Sequence, residues 1–162
     1  MIRRLIDKSR FRKHKYCSLD EATSILVLYC HEDGDSIKPM LDNLRSMNKE
    51  LTCCVTSTEN VDQKDSSVIY INKKTDTDKY GIPKPKIMDR IVKIPADILI
   101  DLSRNRCSTQ KFIMLQHPSQ LKVGERLADD FVYDFSIIMT DRGETVDLFG
   151  YLLFYLQTIP SK

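Results

Sequence analysis

An α/β sandwich with a mostly parallel sheet is the fold this 162-residue sequence predicts, and three features point to it. Short apolar, β-branched runs recur at 24–30, 51–56, 67–72 and 97–102, as strands buried on both faces of a parallel sheet require. Amphipathic stretches with apolar residues at helical spacing separate some of these runs, as crossovers between parallel strands demand. The length suits a single core. Together these features imply a three-layer Rossmann-like or flavodoxin-like sandwich, helices on both faces of the sheet, preceded by a basic helical N-terminal arm. Residues 1–20 read as that arm and 21–162 as one α/β domain.

Each element follows from its residues. The run from Ser24 to Cys30 ends at the polar loop His31–Asp35 and reads as a central strand. From Ser36, Ile37, Met40, Leu41, Leu44 and Met47 fall on one helical face. Asp35 or Ser36 would be its N-cap, with Pro39 tolerated inside the first turn. Leu51–Thr56 closes a β-α-β unit whose strands the right-handed crossover rule makes parallel neighbours. A third strand is expected at Ser67–Asn72, an exposed loop from Lys73 to Pro85, and a fourth strand at Asp97–Leu102. Ser108 or Thr109 would cap a helix running to Gln116 before Pro118. Leu121–Gly124 and Phe135–Met139 are expected as short strands. A last helix, from about Glu144 to Thr158, turns Val146, Leu148, Phe149, Leu152, Leu153 and Leu156 onto one broad apolar face.

Composition narrows the function classes. Uninterrupted apolar stretches such as Ile25–Cys30 fall far short of the roughly 20 residues of a membrane span. The N-terminus lacks the apolar core of a secretory signal, so the expected location is cytoplasmic. The five cysteines are odd in number and contain no C-x-x-C pair, which argues for reduced thiols and against a disulfide framework or a zinc site. Neither Gly-rich phosphate fingerprint is present, and no catalytic signature stands out. No cofactor or metal is expected.

The net charge of +2 hides an asymmetry. Residues 1–16 carry seven Lys or Arg against Asp7, a net +6, and the rest of the chain sums to −4. Arg3, Arg4, Arg10, Arg12, Lys13 and Lys15 are therefore candidate contacts for an anionic partner such as RNA, a ribosomal surface or the inner membrane leaflet. Ile2, Leu5 and Ile6 form one helical stripe, which would instead dock on the domain and leave the charges solvated.

Four short motifs carry a resemblance: Tyr80-Gly-Ile-Pro83, Ala96-Asp-Ile-Leu-Ile-Asp-Leu-Ser103, Leu121-Lys-Val-Gly124 and Tyr133-Asp-Phe-Ser-Ile-Ile-Met139. In these and in its layout the chain resembles an uncharacterised bacterial, Bacteroidota-type family of short α/β proteins classified as a domain of unknown function. The resemblance implies the fold and a cytoplasmic setting, and supplies no activity.

Ligands of open parallel sheets bind beyond the carboxyl ends of the strands, so the loops there hold the candidate sites. After the first strand, His31, Glu32, Asp33 and Asp35 would hold Mg²⁺ or a ribose, or else form a solvated loop whose acids favour the positive end of a helix. After the fourth, Arg104, Arg106 and Ser108 would close on a phosphate at a helix start, or else be surface arginines beside a cap. Cys107 and His117 suggest a thiol–imidazole pair only by closeness along the chain. Asp101 reads equally as a buried structural carboxylate. Two functions emerge. One is a non-catalytic binding or regulatory module working through its arm; the other is a small enzyme or sensor for a nucleotide or phosphorylated metabolite at the sheet's carboxyl edge.

Overall fold

Six strands pair in the order β3-β2-β1-β4-β5-β6, every neighbour parallel. They are β1 (Ser24–Cys30), β2 (Glu50–Ser57), β3 (Val68–Asn72), β4 (Ile98–Asp101), β5 (Leu121–Glu125) and β6 (Phe135–Ile137). The computed structural model describes residues 15–104, 107–126, 132–140 and 143–159. Most of the arm and Arg106 lie outside them. The strand order is the doubly wound one, reversing direction between β1 and β4.

All seven residues of β1 are buried, because the strand sits mid-sheet with a helical layer on each side. Ile25, Val27 and Tyr29 face α1 (Gly34–Ser46) and α4 (Thr145–Thr158), whose Ile37, Leu41, Leu44, Leu148, Phe149 and Leu152 complete one core. Leu26 and Leu28 face α2 (Pro85–Val92) and α3 (Ser108–Gln116), where Met88, Ile91, Ile113 and Met114 complete the other. The alternation of a strand thus feeds both cores from one apolar run.

Several expectations need correction, among them that for Pro39, which is the sixth residue of α1 (Gly34–Ser46) and so lies past its first turn. First, α1 starts at Gly34, two residues early, because a 3-10 turn at His31–Asp33 runs straight into it. Asp33 occupies the cap position without a side-chain cap bond, and Asp35 and Ser36 lie inside the helix. Second, 73–85 is not simply an exposed loop. Thr77 bridges Pro83, both are buried, and Asp78 Oδ1 accepts the amides of Tyr80 and Ile82. Third, Pro85 does not merely punctuate that loop. It opens α2, since a proline's fixed φ suits the first helical position, and the helix buries Met88 and Ile91. The α3 cap is likewise Cys107 rather than Ser108 or Thr109, which are its first two residues. By contrast, Glu144 does cap α4, in a capping box with Asp147.

Candidate binding site at the carboxyl edge of the sheet

The strand-order reversal brings the ends of β1 and β4 side by side, and Leu102 N still donates to Leu28 O at 2.8 Å. At this edge the core becomes polar. Gln110, wholly buried in the first turn of α3, donates from Nε2 to Tyr29 O (2.6 Å) and Thr56 Oγ1 (2.9 Å). Among the described residues, its Oε1 has no hydrogen-bond partner. An unmet buried carbonyl costs about 1–3 kcal/mol. The thiols of Cys30 and Cys107 flank Thr56 Oγ1 at 3.9 and 3.7 Å, and burial pushes Cys30 up to about 11.

The start of α3 borders a cleft at this edge. A helix leaves its first amides without intrahelical acceptors, Cys107 supplies no side-chain cap, and no acidic residue stands in the first turn. Beside these amides is a cleft of about 230 Å³ lined by Lys73, Thr77, Asp78, Lys79, Gly81, Cys107, Ser108 and Thr109. Its far wall is the folded 73–83 lobe. Thr109 donates to Gly81 O at 2.6 Å and Ser108 reaches Tyr80 O at 3.5 Å, which pins lobe to helix. Gly81 sits at φ +79°, and a Cβ there would lie 2.5 Å from Ser108 Oγ, so this contact requires glycine twice over. Asp78 takes the turn amides at Oδ1 and keeps its negative charge, Lys79 lies over the Tyr80 ring at 5.0 Å, and Lys73 adds a second cation. Two cations, one carboxylate and helix amides that no described side chain caps surround this cavity, and the balance of one positive charge favours an anion.

The other expected residues fall nearby but apart. Arg104 is held rather than open: Nε donates to Glu125 Oε2 at 2.9 Å, Nη2 reaches Oε1 at 3.4 Å, and Nη1 donates to Gly143 O. The Asp33 charge adds a small part to the upward push that the Glu125 pairing gives the Arg104 guanidinium. Asp35 is exposed in the first turn of α1. Ser108 alone of the expected group lines the cleft, and Arg106 lies outside the described residues. Lys15 is exposed. Lys73 and Lys79 were absent from the sequence-based set. Their only signal was the Asp78-x-x-Gly81 turn that folds them back.

Several other candidates resolve into framework. His117 sits at the opposite end of α3 from Cys107, its Nδ1 accepting from Ser119 N and its Nε2 against Ile94 O, so no thiol–imidazole pair forms. Asp97 and Asp101 lie at opposite ends of β4. Asp97 accepts the Thr23 and Ser24 amides, which hold it below the usual carboxylate range against the upward push of burial. Asp101 is fully buried and accepts from Ser103 N and the Tyr133 hydroxyl. The Tyr133 ring lies against Gly124, where a Cβ would come within 2.5 Å of it. Among the described residues, no three His, Cys, Asp or Glu side chains gather as metal ligands, and no helix is long and apolar enough to cross a membrane.

Strand order, flanking helices and a polar carboxyl edge define a doubly wound α/β protein. The chain belongs to a family of unknown function, DUF6913, whose model matches residues 1–159. No curated protein matches it.

Proposed function

We propose that the protein is a non-catalytic binding module that takes a small phosphate-bearing ligand at the start of α3. One observation carries this reading: the uncapped α3 amides and two lysines, Lys73 and Lys79, surround one cleft. The location supports it, because doubly wound sheets bind ligands beyond their carboxyl ends. The cavity's 230 Å³ suits a phosphate group with little attached, while the rest of a nucleotide or sugar would extend over the exposed lobe. The side chains around the cleft offer two cations and three hydroxyls against the single Asp78 carboxylate, which supports an anionic ligand. A thermal-shift series with inorganic phosphate, nucleoside monophosphates and sugar phosphates tests this. A ligand at 100 times its dissociation constant stabilises by about 2.7 kcal/mol. That shift is expected for at least one compound and is expected to vanish in the Lys73→Ala/Lys79→Ala double variant. No shift with any of them contradicts the reading.

A second reading rests on the charge segregation. With +6 in residues 1–16 and −4 in the remainder, the arm is the surface for an anionic macromolecule. Salt-dependent binding to RNA or anionic vesicles, lost on deleting residues 1–14, is the expected result.

A further inference from the structure

The outward side of α4 is unusually apolar for a helix whose inner side already supplies the core. Tyr151 is 53% exposed, Phe154 57% and Tyr155 41%, and Ile138, at 77%, extends the patch beyond the end of β6. Phe154 and Tyr155 meet edge to face with centroids 5.6 Å apart. Grooves of about 520 and 550 Å³ run along this ridge, and Asp147, Tyr151 and Tyr155 line both of them. An exposed apolar patch bordered by polar groups marks a contact surface.

The chain itself passes this surface. Leu19 N donates to Leu156 O at 2.9 Å and the Tyr16 hydroxyl to Ile159 O at 3.1 Å, so residues 16–19 are fixed to the C-terminal end of α4. Residues 1–14 therefore enter within reach of the patch. From Ile159 back to Tyr151 is about 12 Å of helix, and the nine or ten residues between Lys15 and Leu5 or Ile6 span about 14 Å even when helical. The chemistry also matches. Residues 1–14 carry six Lys or Arg against one Asp, and interleave them with Ile2, Leu5 and Ile6. The grooves answer with the Asp147 carboxylate and with tyrosine ring faces, which attract cations.

We infer that residues 2–14 dock in cis on the outer face of α4, Ile2, Leu5 and Ile6 against Tyr151 and Phe154, with the remaining basic side chains turned to solvent. A tethered segment meets this face at roughly millimolar effective concentration, an advantage no free partner has. The docked arrangement also presents the cations as one fixed surface.

The protein contains no tryptophan, so Leu5→Trp places a single reporter in full-length protein. Docking predicts blue-shifted emission and several-fold protection from acrylamide. Both are lost with Phe154→Glu, a surface change checked by an unaltered circular-dichroism spectrum. Ile2→Ser with Ile6→Ser, confined to the segment, reproduces the loss if Phe154→Glu fails to fold. Emission of a water-exposed indole that neither change alters overturns the inference. So does a blue shift that grows with protein concentration alongside a dimer in size exclusion, which would assign the face to a second copy.

Discussion

Tyr133 donates its phenolic hydrogen to Asp101 Oδ2 at 2.7 Å, joining the segment before β6 to the carboxyl end of β4 across 32 residues of sequence. Asp101 is buried and its other oxygen takes the Ser103 amide, so the Tyr133 hydroxyl and the Ser103 donors together make this burial tolerable. Replacing Tyr133 with Phe keeps the ring over Gly124 and removes only the donor. Tyr133→Phe is expected to lower unfolding free energy by about 1–3 kcal/mol, read from the urea midpoint at unchanged slope.

The same carboxylate sets a pH dependence. Burial raises the Asp101 pKa above the ordinary 3.8, against the lowering pull of the Tyr133 and Ser103 donors. The folded protein therefore holds this proton more tightly than the unfolded chain does. Its contribution is full below pH 3.8 and is lost as pH climbs to the raised folded value. Asp101→Asn removes that decline. Stability measured from pH 3.5 upward should fall more steeply for the wild type than for the variant across this window, and parallel curves would contradict the assignment.

How much of this was legible beforehand depended on range. The β1-α1-β2 unit and β4 were readable because strands buried on both faces are apolar at every position, as in Ile25–Cys30. α2 was missed because eight residues hold too few turns to show a period, and its initial proline resembled loop punctuation. Ser108 was placed at this edge from its position after a strand, and it lines the cleft. Lys73 and Lys79 were not, because only the Thr77–Pro83 bridge and the Asp78 turn carry them to α3. Nor could local sequence reveal that Arg104 is engaged by Glu125, 21 residues away on the next strand.

That ion pair is testable as a unit. The side chains of Arg104 and Glu125 are 19% and 6% exposed, so removing either leaves a largely desolvated partner. Each of Arg104→Ala and Glu125→Ala should destabilise by more than the pair's net worth, and the double variant by less than their sum. A double-mutant cycle should return a coupling of about 1–3 kcal/mol. Additive effects would contradict an intact pair.

The cysteines give a chemical count. All five are free and buried, and burial pushes Cys30 and Cys53 up to about 11. Thiolates, not thiols, react with disulfide reagents. The native protein at neutral pH should therefore react slowly if at all, and five equivalents should appear on adding denaturant. Rapid native labelling at Cys107 would place it at the surface of the cleft.

The central claim is that the start of α3 binds a phosphate group, and an amide-resolved NMR titration with inorganic phosphate tests it most directly. The account predicts saturable shifts concentrated at Gly81, Ser108, Thr109 and Gln110, abolished in the Lys73→Ala/Lys79→Ala protein. Shifts that do not saturate, or that scatter over surface lysines while the α3 amides stay still, would contradict it.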